Sequence, residues 1–251
     1  YSFYDNSSHR ISLPPIYNQY QKSKAKNSLE PFQMLFRPLF TTSFLLADYI
    51  AENKLFDAKQ VVLTSASSKT ALGLAYCLSA YKKAHNADFS MVGLTSFGNV
   101  YFVHETGYLD EIFDYDSINT IHHKKSVVVD MAGNKSTLLA IDKNLNKDLL
   151  KVLTVGKSHW NSENNNDRLN VNPELFFAPA HAQKKVKDWG IEQFNQSLKE
   201  TMKAFYQSTE KWLKYANVDS KASFELIYKH CLNGGFNPES GYIINIKNFE
   251  V

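Results

Sequence analysis

Between residues 40 and 155 the chain alternates between two hydrophobic patterns. Short apolar runs predict strands at Val61–Leu63, Ser90–Leu94, Glu111–Phe113, Ser126–Asp130 and Lys151–Val155. Apolar residues at helical spacing predict helices at Phe40–Asn53, Ser68–Lys82, Asn99–Thr106 and Asn134–Leu145, with Gly107 ending the third. Apolar strands separated by helices belong to a parallel sheet covered on both faces, with right-handed crossovers. The fold class is therefore α/β: a doubly wound, mostly parallel sheet.

The flanks read differently. Residues 1–35 carry irregularly spaced Tyr, Pro and Asn, with Pro14, Pro15 and Pro31 as breakers, which predicts loops and short strands forming a connector. Gly156–Asn172 is a polar, Asn-rich loop, and Phe176-Phe177-Ala178-Pro179 reads as a sixth strand. Ile191, Phe194, Leu198, Met202, Phe205, Trp212 and Leu213 trace one face of a long C-terminal helix over Gly190–Ala216. After Gly234-Gly235, the run Tyr242, Ile243, Ile244 and Ile246 predicts a closing strand.

Composition narrows the classes. With 251 residues and 43% hydrophobic content, the chain can bury one large core or two smaller ones. A net charge of +3, from 28 basic and 25 acidic residues spread along the chain, is too mild to call for a nucleic-acid partner. No apolar run reaches the roughly 18 residues of a membrane span, and no signal-peptide pattern opens the chain. Cys77 and Cys231 lie far apart in helical patterns, which fits a reducing cytoplasm rather than a disulfide framework. The extended aromatic opening at Tyr1 is expected of a fragment or processed product of something longer.

The candidate chemistry centres on Ser65-Ala66-Ser67-Ser68-Lys69-Thr70, where an apolar strand breaks into small polar residues and then opens a helix. Such a strand-turn-helix offers free backbone N–H groups to a phosphate, here with serines in place of turn glycines. A P-loop would need glycines where Leu63 and Ser68 stand before Lys69-Thr70, and those side chains obstruct the wrapped backbone. A dinucleotide turn asks only for the helix N-terminus. The next strand ends Gly93-Leu94-Thr95-Ser96-Phe97-Gly98-Asn99, without the carboxylate that would hold an NAD ribose. Neutral donors there favour a 2′-phosphate, hence NADP(H) over NAD, although Thr95 and Ser96 also suit the capping of the following helix.

Other chemistry is sparse. His122-His123, His159 and His181 lack metal-ligand spacing, so no metal site is expected. No Gly-x-Ser-x-Gly elbow is present, and Cys77 occupies an apolar helical position suited to the core. His159, beside Trp160 and Lys157, is either a proton carrier bordering a nicotinamide cleft or a structural histidine. Catalytic residues are not identified by these patterns.

The segment order, with Tyr17-Asn18-Gln19-Tyr20, Phe36–Leu46, Ser65–Ala71, Gly93–Ser96, Asp114-Tyr115, Asp130–Gly133, Val155–Trp160 and Phe176–Pro179, resembles the DUF2855 family. More widely it resembles the nucleotide-binding half of the quinone-oxidoreductase-like branch of the medium-chain dehydrogenase/reductase superfamily. The resemblance implies a Rossmann-type domain over 36–190. It makes 1–35 a connector and remnant of a missing GroES-like catalytic domain, and 191–251 a C-terminal helical segment and return strand.

By the same resemblance, Ser65, Ala66, Ser67, Ser68, Lys69 and Thr70 correspond to the pyrophosphate turn. Thr95, Ser96 and Asn99 correspond to the 2′-phosphate end, with Asn99 where the family usually has lysine. Tyr115 corresponds to an aromatic residue beside adenine, Thr41 and Thr42 to a helix start near the nicotinamide, and Ala132, Gly133, Val155 and Gly156 to strand ends along the cofactor. The implied function is a zinc-independent NADP(H)-dependent oxidoreductase acting on a small carbonyl or activated double bond, with a homodimer as the suggested assembly. The alternative is a nucleotide-binding module without catalysis.

Overall fold

The computed structural model describes residues 2–13, 18–21, 29–155 and 168–249. The elements that frame the site are α1 (Glu30–Glu52), β3 (Gln60–Leu63), α2 (Lys69–His85), β4 (Ser90–Thr95), α3 (Val100–Thr106), β5 (Glu111–Asp114), β6 (Ser126–Asp130), α4 (Lys135–Leu145), β7 (Leu149–Thr154) and β8 (Glu174–Leu175). A short antiparallel hairpin, β1 (Ser2–Tyr4) with β2 (Gln19–Gln21), precedes them.

The six central strands are all parallel, in the order β5-β4-β3-β6-β7-β8. The chain thus runs outward from β3 in one direction and then restarts beside it at β6. Such a reversal, here at the carboxyl ends of β3 and β6, is where a doubly wound sheet usually keeps its ligand crevice. Val61, Val62 and Leu63 of β3 and Val127, Val128 and Val129 of β6 are fully buried, so each face needs its own cover. On one face Val62, Val92, Val128 and Val152 pack with Leu138, Ile141 and Leu145 of α4; on the other Val61, Leu63 and Val127 pack with α1 and α2.

The α/β, doubly wound parallel fold agrees with the pattern of the sequence, but several boundaries differ. The first helix begins at Glu30 rather than Phe40. Pro31 lies in its opening turn, where a missing N–H costs nothing, and Pro38 is accommodated inside it. Phe32, Phe36 and Phe40 then align on one face and meet Phe205, which stacks on Phe40 at 4.8 Å. The expected sixth strand is displaced: β8 is Glu174–Leu175, and Ala178, with Pro179 behind it, opens α5 (Ala178–Trp189).

The expected long C-terminal helix, α6, spans Ile191–Thr209 and stops short of Ala216. Beyond it β9 (Lys214–Val218), α7 (Lys221–Leu232) and β10 (Ser240–Ile244) form a second, two-stranded parallel sheet with its own crossover helix. Trp212 and Leu213 satisfy the helical pattern by being buried, yet they belong to the connection between α6 and β9. Of the Asn-rich loop, 156–167 lies outside the described residues, and with it Gly156, Lys157, His159 and Trp160.

Candidate functional site

The crevice is built from four strand ends. β3 gives way after Leu63 to Thr64 and then to the serine turn. Ser65 takes a left-handed backbone conformation (φ 48°), unusual for a residue with a side chain. Three contacts hold it there: Ser65 N–H donates to the Tyr115 hydroxyl at 2.9 Å, Ser68 N–H returns to the Ser65 carbonyl at 2.8 Å, and Ala66 N–H donates to the Leu94 carbonyl at 2.9 Å.

The glycine missing from this turn has its counterpart in the neighbouring strand. A Cβ on Gly93 would lie 2.9 Å from the Ala66 methyl carbon and 2.6 Å from Leu109 Cδ1, so the bare backbone of β4 lets the turn approach. A similar economy brings α1 onto α2. Gly73 faces Ser43, whose hydroxyl donates to the Thr70 carbonyl at 2.7 Å.

Ser68 caps α2, its Oγ accepting Ala71 N–H at 3.2 Å. Lys69 and Thr70 follow as the first two residues of the helix, where their N–H groups lack carbonyl partners four residues back. These N–H groups, at the positive end of a 17-residue helix, are the anion-binding potential of the crevice. The Lys69 side chain is buried rather than solvated. Its ammonium lies 4.7 Å over the Phe236 ring and donates to the Pro238 carbonyl at 3.4 Å, and burial pushes it down to about 8.

The end of β4 joins the turn through side chains. Thr95 Oγ1 donates to Ser67 Oγ at 3.0 Å, and Asn99 Nδ2 donates to Ser67 Oγ at 3.2 Å and to Ser96 Oγ at 3.0 Å. Ser67, Thr95, Ser96 and Asn99, chosen from the sequence, thus form one neutral polar cluster. The adjacent β5 ends in Asp114, which pairs in register with Thr95, and its Oδ1 is buried without a hydrogen-bond partner among the described residues.

The end of β6 supplies an element the sequence reading left unassigned. Asp130 is 1% exposed and its carboxylate gathers three donors: Thr64 Oγ1 at 2.6 Å, Ala132 N–H at 3.3 Å and Gly133 N–H at 2.9 Å. Thr64 Oγ1 in turn accepts Met131 N–H at 3.1 Å. The pair ties the serine turn to the Ala132–Gly133 turn, and Val155 N–H joins through the Asp130 carbonyl at 2.9 Å. A carboxylate closing an otherwise apolar buried strand was the signal available for it.

Thr41 and Thr42 lie within α1, not at its start, because the helix begins at Glu30. Their hydroxyls donate to the carbonyls of Arg37 and Pro38, at 2.7 and 3.2 Å. Cys77 is buried and its thiol pushed up by that burial, as a core residue would be. Among the described residues, no group of three or more His, Cys, Asp or Glu is placed to hold a metal ion, and no helix is long and apolar enough to cross a membrane.

Solved structures with this fold include a protein assigned as an NADPH:quinone reductase from Mesorhizobium loti (TM-score 0.61, 10% identity, 92% of this chain and 64% of that one). CurA from Vibrio vulnificus, in complex with NADPH, matches with TM-score 0.58 and 12% identity over 91% of this chain and 68% of its own. A zinc-dependent alcohol dehydrogenase 2 from Streptococcus pneumonia matches with TM-score 0.57 and 13% identity over 91% and 61%. At such identities the likeness is one of fold, and this chain spans 64% of the first of them. Comparison with curated proteins gives no match. A family model covers residues 1–237, and the chain accordingly belongs to DUF2855, described as a protein family of unknown function.

Proposed function

We propose that this protein binds NADP(H) across the carboxyl ends of β3, β4, β5 and β6 and acts as a zinc-independent oxidoreductase on a small carbonyl compound or activated double bond. The observation that carries the reading is the convergence of the α2 N-terminus with the neutral Ser67–Thr95–Ser96–Asn99 cluster at the carboxyl ends of β3 and β4, beside the reversal point of the sheet. In this reading the N–H groups of Lys69 and Thr70 hold the pyrophosphate. The β4 cluster faces the adenosine ribose with hydroxyl and amide donors and no carboxylate at Ser96, which suits a 2′-phosphate better than a free 2′-hydroxyl.

The NADPH-bound CurA and the NADPH:quinone reductase lend further support through their shared fold. When bound, the nicotinamide supplies hydride chemistry; the chain's own task is orientation and exclusion of water. Ala132, Gly133 and Val155 would border its path, with Thr41 and Thr42 near its far end.

The same polar cluster would also serve a binding module without turnover. That second reading is favoured by the Tyr115 hydroxyl, which occupies an N–H of the turn that a phosphate would otherwise use. Fluorescence titration with NADPH and NADH, followed by a panel of quinones, aldehydes and enones, separates the two. Tighter binding of NADPH with turnover is expected. Binding without turnover across the panel leaves the module, and no binding of either nucleotide removes both.

A further inference from the structure

The loop between α7 and β10 reaches Lys69, the first residue of α2. Phe236 covers the Lys69 ammonium, the Pro238 carbonyl accepts a hydrogen bond from it, and Tyr242 of β10 meets Phe236 edge-on at 5.9 Å. The loop keeps its own shape. Asn237 Oδ1 accepts Glu239 N–H at 2.9 Å, the Asn237 carbonyl accepts Ser240 N–H at 3.1 Å, and Lys214 pairs with Glu239 at 3.0 Å.

This unit is lightly attached. No residue of α7 is buried, and Val218 and Gly241 are the buried residues of β9 and β10. Elements with few buried apolar contacts open at low cost.

The contact itself is poorly balanced. A cation at the first position of a helix faces the positive end of the helix dipole. Lys69 is 7% exposed, and among the described residues its ammonium meets an aromatic face and one long carbonyl contact, with no carboxylate. A phosphate would offer a charge-assisted bond in place of these weaker ones.

We propose that residues 233–239 form a displaceable strap over the phosphate end of the nucleotide site, competing with the nucleotide's phosphates for the Lys69 ammonium. The proposal rests on the reading of the crevice as a nucleotide site. Because phosphate and strap take the same cation, each weakens the other by the same factor. The cost of burying Lys69 keeps the closed strap marginal, so an anion can open it.

Hydrogen exchange at Phe236, Asn237 and Glu239 tests this in the wild type, Lys69→Met and Phe236→Ala, each with inorganic pyrophosphate, with NADPH and with neither. Expected in the wild type is exchange about threefold or more faster with either ligand. Lys69→Met should exchange more slowly without ligand and lose the response. Phe236→Ala, at a half-exposed position, should exchange faster and bind NADPH about two- to fivefold more tightly, the gain from removing one cation–π competitor.

If NADPH binds the wild type and these amides stay unchanged or become slower, the strap is overturned while the nucleotide site stands. If pyrophosphate speeds them and NADPH does not bind, the strap stands and the NADP(H) reading falls. A Lys69→Met response equal to wild type overturns the strap, as does silence from both ligands.

Discussion

The hydroxyl of Tyr115 accepts the N–H of Ser65 at 2.9 Å, joining the turn after β5 to the turn after β3 across the edge of β4. Ser65 holds a backbone conformation that glycine would adopt freely, and this bond is one of the contacts that fix it. Tyr115→Phe removes the acceptor and leaves a half-buried N–H unpaired. A loss of about 1–2 kcal/mol in stability is expected, read by urea denaturation. An unchanged midpoint would show that the turn holds without Tyr115.

Gly93→Ala places a methyl group against Ala66 and Leu109, at 2.9 and 2.6 Å before any adjustment. Overpacking of this kind costs roughly 1–3 kcal/mol. Because Ala66 belongs to the serine turn, the proposed function predicts that NADPH affinity falls in the same variant. Gly98→Ala, where a Cβ meets nothing within 4 Å, is the control and should leave stability within about 0.5 kcal/mol.

Lys69 gives stability a pH dependence with a definite sign. Burial lowers its folded pKa from 10.5 to about 8, so between these values the unfolded chain holds the proton more tightly. Stability should therefore rise as pH increases from about 8 to 10.5, and below 8 the folded state carries the full cost of the buried charge. Lys69→Met should be more stable than wild type at pH 7, by roughly 1–3 kcal/mol, and lack that rise. Denaturation midpoints across this range for both proteins provide the check.

Glu174 acts at the acid end. Lys151 and the Tyr49 hydroxyl hold its carboxyl below the ordinary 4.5, and Tyr49 itself is pushed up to about 12 by burial and by that carboxylate. A carboxylate with a lowered folded pKa contributes stability that is complete above its unfolded value and disappears as pH falls through the folded one. Glu174→Gln should be less stable than wild type at pH 7, and the difference should shrink below about pH 4.5. Thermal unfolding of the two proteins from pH 7 to pH 3 measures it.

Ser96→Asp tests nucleotide preference under the proposed function. A carboxylate at this exposed position would repel a 2′-phosphate and accept a free 2′-hydroxyl. NADPH affinity should fall about tenfold, roughly 1.4 kcal/mol, while NADH binding improves. Equal effects on both nucleotides would place the ribose elsewhere.

The central sheet was legible because its signal is local. Val61–Leu63 and Val127–Val129 are continuous apolar runs, and a strand buried on both faces has no other pattern available. Pro31 is ambiguous in the sequence for a physical reason: proline breaks a helix interior but suits a helix start, and only the packing of Phe32 and Phe36 against the C-terminal helix decides between the two. Trp212 and Leu213 misled in the opposite direction. Burial after the end of α6 imitates helical periodicity, and the sequence does not record which surface covers them.

By itself the sequence determined the α/β class, the serine turn and the polar end of β4, since each is a property of neighbouring residues. Tertiary structure decided what those groups touch. Tyr115 and Ser65, Asp130 and Thr64, and Gly93 and Ala66 are distant in the chain and meet because parallel strands align their carboxyl ends at one edge of the sheet. The fate of Lys69 was likewise undecidable from its neighbours, because the ring that covers its charge arrives from the far C-terminal unit.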